Sequence, residues 1–350
     1  MFLLASVFLA LSFLALLGTS YWIANLLLYA KRQPIICTPA DYDLAYEDLF
    51  FFSQDGLMLK GWWIPAETVA RVNGQEPVVI VLHPMFGNRQ GLCTKHQAWP
   101  PLFSIDVDLL KIAETFHKAG YTVFMIDFRS HGESQAGLCA GGLTEDQDVM
   151  GAVDYVFRRL AADDPTIPIV GVIGFGLGAT AALAAVGREK GGTDVIRVFS
   201  GDSEGGSGII DIQPPNVKRL RFLVAIQPAS IGVLLRGYIR KRIGPLGLVL
   251  VPFVDMFCQW RGGYPLATGL LKYGQEIHLP VLYIQSRSDS WGTWDEVQSL
   301  YEATPGPKQM WWIDDPFGRL ETYAHVGEHL DTVLAFVNQQ LGECSDEDKL

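Results

Sequence analysis

An α/β architecture, with a mostly parallel sheet covered by helices on both faces, is what this sequence predicts, and three observations carry the prediction. Beyond residue 45, short β-branched apolar runs alternate with helical patterns almost to the end of the chain. One junction, "PIVGVIGFGLGATAALAAV" from Pro168 to Val186, passes from a β-branched run into an Ala-rich segment through closely spaced glycines. At 350 residues, with 49% hydrophobic and 19% charged side chains, the chain has enough apolar material for one large core. A formal net charge of −11 leaves no broad basic excess to displace phosphate counterions, so no nucleic-acid partner is expected.

The elements follow in order. "MFLLASVFLALSFLALLGTSYWIANLLLYAKR" carries no charged side chain before Lys31, and about 20 apolar residues suffice to cross a bilayer. A cleaved signal peptide is the alternative. No basic n-region precedes the run, however, which is longer than a usual h-region and lacks a clean A-x-A site. Residues 1–30 are therefore expected to be an uncleaved single-pass anchor. Tyr21, Trp22 and Tyr29 would sit in the interface, and Lys31-Arg32 would hold the following domain in the cytoplasm.

A linker over 31–44 leads into an α/β domain over 45–341. "EDLFFFSQDGLMLKGWWIPA" reads as two strands joined at Asp55-Gly56, a strong hairpin signal. Further strands are expected at 78–82, 122–127, 169–173, 220–226, 281–285 and 309–313, and helices near 106–119, 145–160, 177–187, 294–303 and 326–341. A loop over 90–105 and a polar, Gly-rich insertion over 191–217, expected to be mobile, interrupt the alternation. A third interruption, about 229–272, combines Arg236, Arg240, Lys241 and Arg242 with an apolar run from Leu246 to Phe257 and reads as a helical cap. Ordinary core packing and contact with an anionic membrane are both open for it. Residues 342–350 form an acidic tail.

Five scattered cysteines without a C-x-x-C argue against a disulfide framework or a structural zinc. GFGLGA satisfies G-x-G-x-x-A, the loose dinucleotide fingerprint, but several strands precede it, and its acidic partner would have to be Asp194 or Asp202 near the insertion. No cofactor is expected. His325, Glu328 and His329 match H-x-x-E-H, yet Gly327 weakens the helix inside the motif and the carboxylates that follow are Asp331 and those of the polar tail, so no metal is expected either.

"VVIVLHPMFGNR", "GYTVFMIDFRSHGES", "VIGFGLGATAAL", "PVLYIQSRSDSWGT" and "YAHVGEHLDTVLAFV" occur in the order and approximate spacing of the α/β-hydrolase superfamily, and together they resemble its membrane-associated, serine-aminopeptidase-like or esterase-like branch. The resemblance covers nearly everything after Asp48. It implies that His83-Pro84-Met85-Phe86-Gly87 is the oxyanion loop, with Pro84 in place of the usual Gly and the Met85 N–H as one oxyanion donor. The Leu177 N–H would be the second donor. Asp289 falls at the position of the triad carboxylate and His325 at that of the base. Gly176 stands where the nucleophilic Ser belongs, and glycine has no side chain with which to attack a carbonyl. "SHGES" around His131 reads as structural.

Two functions fit these residues. In the first, a membrane-anchored α/β-hydrolase-fold protein has lost its nucleophile and acts by binding a small acyl or peptide-like ligand, with a protein partner left open. In the second, water takes the place of the missing Ser side chain, His325 is its general base, Asp289 orients the imidazole, and Met85 and Leu177 hold the oxyanion of an ester or amide. The retained Asp289 and His325 favour the second; Gly176 and Pro84 favour the first.

Overall fold

A computed structural model of the chain describes residues 2–68, 76–94, 105–163, 169–188, 197–201, 207–211, 220–292 and 294–342. In chain order its strands are β1 (Glu47–Phe52), β2 (Met58–Ile64), β3 (Pro77–Leu82), β4 (Gly91–Leu92), β5 (Val107–Asp108), β6 (Thr122–Ile126), β7 (Ile169–Phe175), β8 (Arg197–Gly201), β9 (Ser207–Asp211), β10 (Leu220–Ile226), β11 (Val281–Ser286) and β12 (Lys308–Ile313). Its α-helices are α1 (Phe2–Leu28), α2 (Leu110–Lys118), α3 (Asp146–Asp163), α4 (Leu177–Gly187), α5 (Ile231–Arg242), α6 (Val251–Gly262), α7 (Leu271–Gly274), α8 (Trp294–Ala303), α9 (Arg319–Glu328) and α10 (Leu330–Gly342).

Eight strands build one sheet in the order β1-β2-β6-β3-β7-β10-β11-β12. The β1–β2 hairpin turns at Asp55-Gly56, where Gly56 takes φ +85°, and β2 is antiparallel to β6. Every other neighbouring pair in this sheet is parallel. Parallel neighbours need crossovers, and their helices cover both faces, which is why these strands read as continuous apolar runs. Alternation then sorts each strand between two cores: Val78, Ile80 and Leu82 face α3 and α4, whereas Val79 and Val81 face α2, α9 and α10. A third apolar cluster joins Ala24, Leu27 and Leu28 of α1 to Ile231, Leu235 and Ile239 of α5 and Val254 and Cys258 of α6.

The chain leaves β3 first toward β6 on one side and then returns to β7 on the other, so the crossovers diverge between β3 and β7. Open α/β sheets bind ligands at such a switch point, beyond the carboxyl ends of the strands. His83, Gly176, Gln227 and Asp289 all follow strand ends on this edge.

Most expected elements are present within a few residues. The exception is the helix expected at 326–341, which is two helices broken at His329, whose backbone (φ −119°, ψ 48°) is not helical. Helix α9 already begins at Arg319, directly after the extended Gly318. His325 therefore lies in the last turn of a helix rather than in front of one. The expected cap contains α5, a 3₁₀ segment (Pro245–Leu250), α6 and α7. Much of the 191–217 insertion lies outside the described residues, but β8 and β9 within it pair as an antiparallel ribbon. The acidic tail, Asp194, Asp202 and part of the 90–105 loop also lie outside.

Candidate functional site

At the end of β7 the backbone turns through Gly176, with φ 51° and ψ −100°, directly into α4. The turn is pinned on both sides: the Gly176 N–H donates to Ile226 O at 2.8 Å, and its carbonyl accepts from the Thr180 N–H at 2.9 Å. Positive φ favours glycine here. Space requires it more strongly, because a Cβ at Gly176 would lie 2.3 Å from the Tyr323 hydroxyl and 3.6 Å from Arg319 Nη1. The volume that a side chain at residue 176 would occupy is filled from α9.

Arg319 and Tyr323 are one helical turn apart, so both project from the same face of α9. The Arg319 guanidinium is buried, with Nη2 2.9 Å from Asp289 Oδ2 in an ion pair, and Nη1 donates to Gln227 O at 2.7 Å and to the Tyr323 hydroxyl at 2.8 Å. One side chain thus ties the ends of β10 and β11 to α9. The other carboxylate oxygen of Asp289 accepts the Trp291 N–H at 2.9 Å. The loop closes tightly over the pair, since a Cβ at Gly292 would approach Asp289 Oδ2 to 2.8 Å and Arg319 Nη2 to 2.9 Å. Burial works against the Arg319 charge, but Asp289 beside it holds its pKa above the ordinary value. Burial raises the Tyr323 phenol, the Arg319 charge offsetting part of the rise.

The resemblance places His325 beside Asp289, and the structure does not bring them together. Two residues past Tyr323, a helix has turned through roughly 200°, so His325 points away from the Arg319–Tyr323 face. Its ring stacks on His329 at 4.0 Å and packs against Phe317 at 5.1 Å and Trp311 at 6.2 Å. Partial burial, followed by neighbouring His329, lowers its pKa; Asp315 and Glu328 raise it, and Asp289 is not among the groups that act on it. No hydrogen bond joins Asp289 to His325 among the described residues. The carboxylate has a guanidinium as partner instead of an imidazole.

His83 is fully buried. Its Nε2 accepts the Phe128 N–H at 3.1 Å and its Nδ1 lies 2.8 Å from Pro84 O, which assigns the neutral ring protonated on Nδ1. Burial, then the His131 ring 5.0 Å away, pushes its pKa well below the ordinary value. The turn that follows is closed by the Gly87 N–H donating to Pro84 O at 3.1 Å, with Phe86 at φ +65°. Neither the Met85 nor the Leu177 N–H has a hydrogen-bond acceptor among the described residues.

Other hydroxyls near the turn are engaged in structure. Thr180 Oγ1 donates to Ala229 O at 3.2 Å, Ser130 Oγ to Gly137 O at 2.7 Å, and Ser134 Oγ to Asp127 O at 2.6 Å. Among the described residues no group of three or more metal-ligating side chains converges, and His329 Nδ1 is turned back onto His325 O at 2.9 Å. Sequence reasoning missed Arg319, Tyr323 and Gln227. The signal for the first two was an Arg and a Tyr four residues apart, directly after the extended Pro-Phe-Gly segment that ends at Gly318.

No family model matches the chain. The protein YfhR of Salmonella typhimurium is 29% identical over 164 residues, covering 47% of each chain, and YqkD of Bacillus subtilis is 26% identical over 203 residues, covering 58% of this chain and 57% of its own; both are described as uncharacterized. The chain spans about half the length of these curated relatives. Among solved structures, the Pyrococcus furiosus esterase Pf2001 superimposes with a TM-score of 0.60 at 24% identity, covering 89% of this chain and 98% of the esterase. The α/β hydrolase GrgF from Penicillium follows at 0.54 and 18%, covering 85% of this chain and all of GrgF. This chain has the α/β-hydrolase fold. Acylaminoacyl peptidase of Pyrococcus horikoshii shares the same fold at a TM-score of 0.52 and 15% identity, with 85% of this chain matched to 42% of the peptidase. Within the α/β-hydrolase fold, the edge built here by Gly176, Asp289, Arg319 and Tyr323 is the carboxyl end of the sheet.

Proposed function

We propose that this protein is a membrane-anchored, non-hydrolytic member of the α/β-hydrolase fold that acts by binding. One observation carries the reading: the Asp289 carboxylate is neutralised by Arg319 while the Tyr323 hydroxyl occupies the space beside Gly176. A guanidinium stays protonated in proteins and offers only donors, so Arg319, which takes the imidazole's place beside Asp289, cannot accept the proton of an attacking hydroxyl or water. With no side chain at residue 176 and no base there, neither the acyl-enzyme route nor the water route is furnished. The water mechanism needs His325 held by Asp289, and His325 instead packs with Phe317, Trp311 and His329. The free N–H groups of Met85 and Leu177 are consistent with a place for a ligand's carbonyl or carboxylate oxygen. Anchoring rests on α1, 27 residues with a mean hydropathy of 2.3 in its most apolar window, followed by Lys31-Arg32, which favours a cytoplasmic domain.

Covalent labelling by a fluorophosphonate tests the reading, because the reagent requires an activated hydroxyl. The full-length protein should remain unlabelled under conditions that label an active esterase to completion. Stoichiometric labelling would overturn the reading, and the mapped adduct would name the nucleophile.

A further inference from the structure

Helix α1 does not stand clear of the domain. Its first half, through Ala15, is exposed, but from Leu16 onward it packs along α6 and the 3₁₀ segment before it. Phe13 meets Phe253 edge-on at 6.1 Å, Tyr21 meets Phe257 at 5.4 Å, and Arg261 donates to Asn25 Oδ1 at 2.8 Å while its guanidinium lies 5.4 Å from the Tyr21 ring. These contacts set a depth scale. If Tyr21 and Trp22 mark the interface, Phe13 lies eight residues deeper, about 12 Å at ~1.5 Å per residue. Phe253, in contact with Phe13, is then below the headgroups too.

The surface beside this contact has matching chemistry. Leu246 is 88% exposed and Trp260 75% exposed, with Ile243, Val249 and Met256 also open to solvent. A row of large exposed apolar side chains on a cap is not ordinary monomer surface. Immediately before it, α5 ends in Arg240, Lys241 and Arg242, all exposed, and no acidic residue lies between Ser230 and Asp255, in a chain whose net charge is −11. Cations flanking an apolar rim are what an anionic leaflet attracts.

We propose that the cap is a second membrane contact: the 245–250 segment and the first turns of α6 are embedded in the same anionic leaflet that α1 crosses, with the C-terminal turn of α5 on its headgroups. The proposal rests on α1 being an anchor, and the two are separable by experiment. Full-length protein with Cys37, Cys93 and Cys344 changed to Ser would be reconstituted in vesicles containing phosphatidylglycerol. A single cysteine would be introduced as Leu246→Cys, Val249→Cys or, as a water-exposed control at the opposite edge of the sheet, Lys118→Cys, whose side chain is 63% exposed just before the amino end of β6, and labelled with a membrane-impermeant maleimide. Leu246 and Val249 are surface positions, so neither change threatens the fold. Labelling at 246 and 249 should be at least tenfold slower than at 118, and changing Arg236, Arg240, Lys241 and Arg242 to Gln should restore several-fold faster labelling at 246. Equal labelling at all three positions in protein that resists alkaline carbonate extraction would overturn the cap contact alone. Loss of the protein from the membrane in carbonate would overturn the anchor, and the cap contact with it.

Discussion

Arg319 is the residue on which the site turns, because a guanidinium in ion-pair contact with a buried carboxylate cannot be removed alone without stranding a charge. Breaking one partner of a buried pair costs about 3–5 kcal/mol. Arg319→Ala should therefore lower the unfolding free energy by about that amount in denaturant titrations, and Arg319→Met/Asp289→Leu should be milder than the single change. An equal or larger loss in the double variant would mean that the pair is not the relevant contact. Gly176→Ser is expected to lose stability twice over, about 1 kcal/mol for positive φ and more from contact with the Tyr323 hydroxyl. Combined with Tyr323→Phe, the loss should be less than additive, and strict additivity would show that Tyr323 is not what the new side chain meets. Both residues that set this chemistry were hard to read from sequence. The Asp and the Gly stand in motif register, but which side chain reaches Asp289 depends on where α9 begins. A start at Arg319 instead of 326 rotates His325 off the site and brings Arg319 and Tyr323 onto it.

Among elements, the loops after β3 and β6 link the site to the core through two buried histidines, His83 and His131. Burial lowers the pKa of both His83 and His131, so each resists protonation in the folded protein and takes up a proton freely once unfolded. The unfolded state then binds more protons as pH falls below about 6.5, and stability falls with it, by at most about 1.4 kcal/mol per histidine at pH 5.5. Asp146, raised to about 7 by burial, works in the opposite direction: it is protonated more readily when folded, so its contribution grows as pH falls from about 7 toward 4. The histidine share is isolated by difference. The change in Tm between pH 7.5 and 5.5 should be shifted in favour of acid in His83→Gln relative to the unaltered protein, and parallel profiles would contradict the neutral assignment of His83. Strands were the most legible elements, since parallel strands buried on both faces advertise themselves as β-branched runs. The break at His329 was not, because the apolar spacing on either side of it continues without interruption.

For the whole molecule, the sheet order β1-β2-β6-β3-β7-β10-β11-β12 places the site at the switch point between β3 and β7, and that placement was implied by the order of the motifs alone. The docking of α1 onto α6 was not, since the uncharged run signals only length and hydropathy, and nothing in it names a partner helix. Arg32 adds a further constraint. It donates to Gly132 O at 3.1 Å and Ser134 O at 2.6 Å, which clamps the chain leaving α1 against the sheet edge. A reporter active only outside the cytoplasm, fused after Leu350, should stay silent, and a strong signal would contradict the proposed orientation. The central claim, that the fold is kept while its hydrolytic chemistry is gone, is tested most directly by turnover. A panel of short acyl esters and aminoacyl amides should be hydrolysed by the full-length protein no faster than by Asp289→Asn or by buffer. Turnover well above both, lost in Asp289→Asn and in His325→Ala, would contradict the account and restore the water mechanism.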